Sequence, residues 1–116
     1  MGACAILPRL IGHGRAAELL FTGRTMTSVE GLAWGFFNRL ADDVAAEADS
    51  FARNLASGPS LAHFMTKRQL DAEWNATIDE AIEMEAVAQA QCMETRDFRR
   101  AYEAYANKRT PVFQGD

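Results

Sequence analysis

The sequence is poor in the residues on which most small catalytic and metal sites depend. It holds two histidines, His13 and His63, and two cysteines, Cys4 and Cys92, in 116 residues. The cysteines lie far apart without metal-ligand spacing, which argues against a metal site and predicts two unpaired thiols in a reducing, cytoplasmic compartment. Proline is scarce, at three residues, so no proline-rich linker is expected. No apolar run approaches the roughly 20 residues that span a bilayer, so no membrane helix is expected. The opening MGACAILPRL lacks a basic start and is interrupted by Pro8 and Arg9, unlike a secretory signal, and Leu7 weakens a myristoylation pattern. Neither sign of charge dominates. The formal net charge of −4 argues against nucleic-acid binding by bulk electrostatics.

What is present is an ordinary globular balance, 48% hydrophobic and 24% charged. A chain of this size is expected to bury roughly two-thirds of its unfolded surface. The periodicity predicts a mostly α fold with at most one short strand. Gly2 to Leu10 reads as a helical turn stopped near Gly12, and 14–21 as a helix closed by Gly23. Thr27 and Glu30 form a capping box that opens a short helix through Trp34. Residues 36–40, Phe-Phe-Asn-Arg-Leu, are the only strand-like run. Asp42 is the expected cap of the next helix, whose Val44, Ala48, Phe51, Ala52 and Leu55 form one apolar stripe. Ser60 should cap a helix to about Trp74 with apolar residues on two sides. Leu61, Phe64, Met65 and Ala72 mark one side, and Leu70 and Trp74 the other, the pattern of a helix with two partners. Thr77 and Glu80 make a second capping box. On the helix that follows, Glu85 and Gln89 project into the apolar sector and call for partners. Thr95 starts a last helix, with Phe98, Ala101, Tyr102 and Tyr105 on one side.

Catalytic chemistry is thinly supplied. No Ser-His-Asp or Cys-His order and no nucleophile elbow is present. Gly12-His13-Gly14 lacks the strand and third glycine of a phosphate loop. His13 and His63 read as solvated or structural, and Asp79, Glu80 and Glu83 as a helix face with favourable N-terminal charge. The last helix is the richer feature. Arg96, Arg99, Arg100, Lys108 and Arg109 alternate there with aromatics. Such a set can hold phosphates and stack an adenine, or simply complement a helix end and fill a core.

The ordered set Leu7-Pro8-Arg9-Leu10-Ile11-Gly12, Ala17 through Arg24, Trp34-Gly35, Asn38-Arg39, Met65-Thr66-Lys67 and Asp97 through Phe113 resembles the second half of the crotonase superfamily, the enoyl-CoA hydratases and isomerases. The resemblance implies the C-terminal helical part of a crotonase-like fold, truncated. Residues 1–41 would be the tail end of the crotonase core and 42–116 a helical oligomerisation region. It implies an acyl-CoA thioester as substrate, no covalently bound cofactor, no metal, and a homo-oligomer, a trimer or a hexamer of two trimers. In this family an N-terminal spiral of ββα units carries the oxyanion hole and two glutamates, which would lie upstream of this stretch, so no turnover is expected from it alone. Gly2 aligns with the glycine whose amide holds the catalytic water. Tyr105 and Lys108 align with residues that reach the adenine end of coenzyme A. Two other readings compete: a stand-alone helical interaction module that joins longer homologues, and an acyl-CoA binder without chemistry.

Overall fold

The computed structural model describes residues 2–116; Met1 lies outside the described residues. Among the described residues seven α-helices follow in order: α1 (Ala3–Ile11), α2 (His13–Thr22), α3 (Ser28–Ala33), α4 (Val44–Ala56), α5 (Ser60–Ala72), α6 (Ile78–Met93) and α7 (Arg96–Ala106). A 3-10 turn, Glu73–Asn75, extends α5. The expected mostly α class is observed, and no strand occurs among the described residues.

Local chemistry sets most of the helix ends. Both capping boxes form: the Thr27 and Thr77 hydroxyls accept the Glu30 and Glu80 N–H groups, and each glutamate accepts the threonine N–H in return. Thr95 caps α7 by accepting from Phe98 N–H at 3.1 Å. Two expected caps differ. Asp43, not Asp42, caps α4, accepting from Ala46 N–H at 3.0 Å, because the helix begins one residue later than the aspartate pair suggests. Pro59 is the residue before α5, and no side chain caps that helix.

The strand expected at 36–40 is replaced by a return turn. Phe36 and Phe37 donate their N–H groups to the Gly31 carbonyl at 2.8 and 3.1 Å, which folds the chain back onto α3 and uses the donors a strand would need. The two rings meet edge to face at 5.0 Å. Gly31 leaves room for the Phe37 ring: a Cβ there would come within 2.4 Å of it.

The chain divides into two compact units, one running up to Glu47 and the other from Ala48 to Asp116. In the first, α1 packs on α2 around Ile11 and Ala16. Arg24 clamps α2 to α3, bonding Glu18 at 2.7 Å and Glu30 at 3.1 Å. The Arg15 and Arg24 guanidinium groups also lie 5.4 and 5.6 Å from the Trp34 ring. In the second unit, Gln69 of α5 donates to the Met84 carbonyl of α6 at 2.9 Å.

Burial departs from expectation. The chain exposes 9317 Å², about half of the roughly 18,600 Å² of an unfolded chain this size rather than a third. Ile11, Ala16 and Ala88 are the buried apolar residues among those described. The α4 stripe is present as a pattern but faces solvent: Val44 is 70% exposed, and α4 buries no residue. Glu85 and Gln89 are exposed as well. They line an open groove between α5 and α6 with Met65, Gln69, Leu70 and Cys92, so the partners that an inward projection would have required are not needed here.

Candidate functional site

The residues singled out for coenzyme A lie at the C-terminal end of α7. This helix starts from Thr95, whose hydroxyl also donates to the Cys92 carbonyl at 2.7 Å and so joins the end of α6 to the start of α7. It ends in two return bonds. Arg109 N–H reaches the Ala104 carbonyl at 2.8 Å and Lys108 N–H the Tyr105 carbonyl at 3.1 Å, the paired 6→1 and 5→2 closure of a Schellman motif. Glycine usually occupies the left-handed position of that motif. Here it is Lys108, the one non-glycine with positive φ among the described residues, at 52°. Tyr105 and Lys108 are thereby joined through the backbone, and both are exposed, Tyr105 by 85%. An exposed aromatic ring one turn from an ammonium group can stack a base and meet a phosphate.

The basic row of α7 is not uniform. Arg96 pairs with Asp116 at 3.4 Å. Arg100 pairs with Asp97 at 2.6 Å and also binds Asp116. These two arginines complete a structure that sequence reading missed, in which the tail after Pro111 folds back along α7. The buried Asp97 carboxylate accepts from Gln114 N–H at 2.8 Å and Gly115 N–H at 2.7 Å. Burial by itself would raise the Asp97 pKa. The two backbone donors and Arg100 outweigh it and hold the carboxyl below the ordinary aspartate value. Asp116 is likewise lowered, chiefly by Arg100. Arg99, Lys108 and Arg109 form no ion pair among the described residues. The only available signal for the tail was the Asp-x-x-Arg spacing within α7.

Gly2 precedes α1 in the first unit at φ 101, and its carbonyl accepts from Ala5 and Ile6 N–H, each at 3.0 Å. His13 and His63 are exposed, and the His63 ring lies against Gly58. No cluster of three or more His, Cys, Asp or Glu residues able to hold a metal occurs among the described residues. No helix among them is long and apolar enough to cross a membrane. Each acid with a shifted pKa is lowered by a cap or an arginine; none is raised as a general acid would be.

The model of the enoyl-CoA hydratase/isomerase family matches residues 1–116. The 1,2-epoxyphenylacetyl-CoA isomerase of Escherichia coli K12 is 28% identical over 116 residues, which cover 98% of this chain and 44% of that protein. The short-chain-enoyl-CoA hydratase of Clostridium acetobutylicum is 28% identical over 110 residues, 93% of this chain and 42% of that protein. A crystal structure described as an enoyl-CoA hydratase of Streptomyces coelicolor A3(2) superposes with a TM-score of 0.90 at 38% identity, over 99% of this chain and 42% of that one. The chain therefore spans less than half the length of these relatives. A family match over its whole length, borne on a fold shared with a relative at that identity, means that the chain belongs to the enoyl-CoA hydratase/isomerase family.

Proposed function

We propose that these residues are the C-terminal helical portion of an enzyme acting on an acyl-CoA thioester, and that they supply the assembly surface and the nucleotide edge of the substrate site. The observation that carries this reading is the exposed Tyr105–Lys108 pair, fixed by the helix closure of α7. The placement rests on the absence of strands among the described residues, which suits the helical part of a crotonase fold rather than its ββα spiral. The named relatives catalyse different reactions, an isomerisation and a hydration. Their substrates share the coenzyme A thioester, so recognition of that group is the part that carries over. On this reading Gly2 offers a backbone amide to the catalytic water, while the groups that move protons lie outside residues 1–116. Residues 1–41 close the catalytic core and 42–116 build a trimer or hexamer. Two free thiols suit a cytoplasmic location.

Immunodetection in the source cell with an antibody to α7 tests the placement. A polypeptide more than twice the mass of this chain is expected. A band at 12.8 kDa would overturn it in favour of a helical interaction module. Crotonyl-CoA hydration at a normal enzymatic rate by residues 1–116 alone would refute the division of labour. Coenzyme A binding without turnover by the full gene product would favour a non-catalytic acyl-CoA binder.

A further inference from the structure

The clasp at the start of α7 has a mechanical relation to the pair at its end. From Asp97 to Ala106 the helix is a rod of about 14 Å. The return segment 107–113 is tied at both ends of that rod. At one end it leaves through the Schellman bonds to Ala104 and Tyr105. At the other, Gln114 and Gly115 donate to the Asp97 carboxylate. Arg100 donates to the Gln114 side-chain oxygen at 3.0 Å, and Asp97 N–H reaches the Asp116 main-chain oxygen at 3.0 Å. Gly115, at φ 80, is seated so that a Cβ on it would come 2.9 Å from Ser60 Oγ. A left-handed lysine persists only where the surrounding structure over-determines it. The helix closure constrains Lys108 from one side and the tethered tail from the other.

We propose that Asp97 and Arg100 are positioning residues for coenzyme A: by pinning 114–116 to the first turn of α7 they hold the 107–111 connection so that the Lys108 ammonium and the Tyr105 ring face the same nucleotide. This rests on the reading that Tyr105 and Lys108 meet coenzyme A. Asp97 and Arg100 are engaged with each other and with the tail, and on this reading they make no contact of their own with the ligand. Their removal therefore frees the connection without removing a ligand contact, raising KM and leaving kcat alone.

The test compares Asp97→Ala, Arg100→Ala, Arg100→Lys and Lys108→Ala in the full-length protein, by hydrogen exchange, coenzyme A titration and steady-state kinetics. Asp97→Ala and Arg100→Ala are expected to speed exchange across 107–116 by about tenfold or more with unchanged far-ultraviolet circular dichroism. They should weaken coenzyme A by about five- to twentyfold, the cost of an unfixed binding element. Arg100→Lys should recover part of both effects. If Asp97→Ala fails to fold, Arg100→Ala carries the test. Faster tail exchange with affinity within about twofold of the parent, while Lys108→Ala binds poorly, would overturn the inference and leave the site standing. Unchanged exchange in Arg100→Ala would also overturn it. Full affinity in Lys108→Ala would overturn the site reading and this inference with it.

Discussion

Lys108 supports a prediction in which stability and affinity move in opposite directions. Its left-handed backbone costs an L-residue about 1–2 kcal/mol, and glycine removes that strain. Glycine also has more freedom in the unfolded chain, which returns about 0.5–1 kcal/mol of the gain. Lys108→Gly should therefore stabilise the protein by about 0.5–1 kcal/mol. Lys108→Ala keeps the strain and should match the parent within about 0.5 kcal/mol. Both variants lose the ammonium, and with it a charge-assisted contact to phosphate of about 1.5–3 kcal/mol, so coenzyme A should bind at least about tenfold less tightly. The expected orders are Gly above Lys and Ala for stability, and Lys above Gly and Ala for affinity. Guanidinium unfolding followed by tryptophan fluorescence reads the first order, since Trp34 reports the first unit and Trp74 the second. Calorimetric titration reads the second. A glycine variant less stable than the parent would refute the strain argument. Unchanged affinity in both variants would refute the assignment of Lys108 to the nucleotide edge.

The first unit offers two further checks. Gly31→Ala would place a Cβ 2.4 Å from the Phe37 ring, which Phe36 holds edge-on. A loss of about 1–3 kcal/mol is expected in Trp34-detected unfolding, and no loss would mean the return turn is packed otherwise. Glu30 titrates at about 2 instead of the ordinary 4.5, held there first by the Thr27 N–H and then by Arg24. A carboxyl with a depressed folded value stabilises fully above the unfolded value and loses that contribution as pH falls through the folded one. The contribution should thus fade between about pH 4.5 and 2, and a carboxyl NMR midpoint near 4.5 would contradict it. In the second unit, Thr77→Ala removes the acceptor of Glu80 N–H and should cost about 1 kcal/mol, with Thr77→Ser nearly neutral. Equal melting temperatures for all three residues would refute the role of the cap.

Features set within one helical turn were legible in the sequence. Both capping boxes, the Thr95 cap and the glycine closures after α1 and α2 depend on residues three or four apart. Adjacent aspartates could not be told apart, and Asp43 took the cap assigned to Asp42. The aromatic run after Gly35 carries β propensity, yet the Gly31 carbonyl captures the Phe36 and Phe37 donors; the local closure of α3 at left-handed Gly35 overrode the strand preference. The Asp97 clasp joins residues 17 and 18 apart, beyond any periodicity argument. The candidate pair was found by resemblance alone. No spacing rule marks Lys108 as left-handed, because the residue expected there is glycine.

The surface carries the last prediction. Two separate compact units of these lengths would together expose about 7,500 Å², yet the chain exposes 9317 Å². An excess of roughly 1,800 Å² is as much as one partner contributes to an obligate interface, more than a passing contact buries. Exposed apolar side chains of the second unit at helical positions include Leu55 on α4 and Ile78 and Ile82 on α6. Such side chains call for burial without specifying the partner, and the second unit leaves them exposed. Purified residues 1–116 should therefore associate, and light scattering should give a mass well above 12.8 kDa. Leu55→Glu should lower that mass, because a carboxylate cannot be buried unpaired. A clean monomer by light scattering would show that these faces tolerate water, and the assembly role would fall with it.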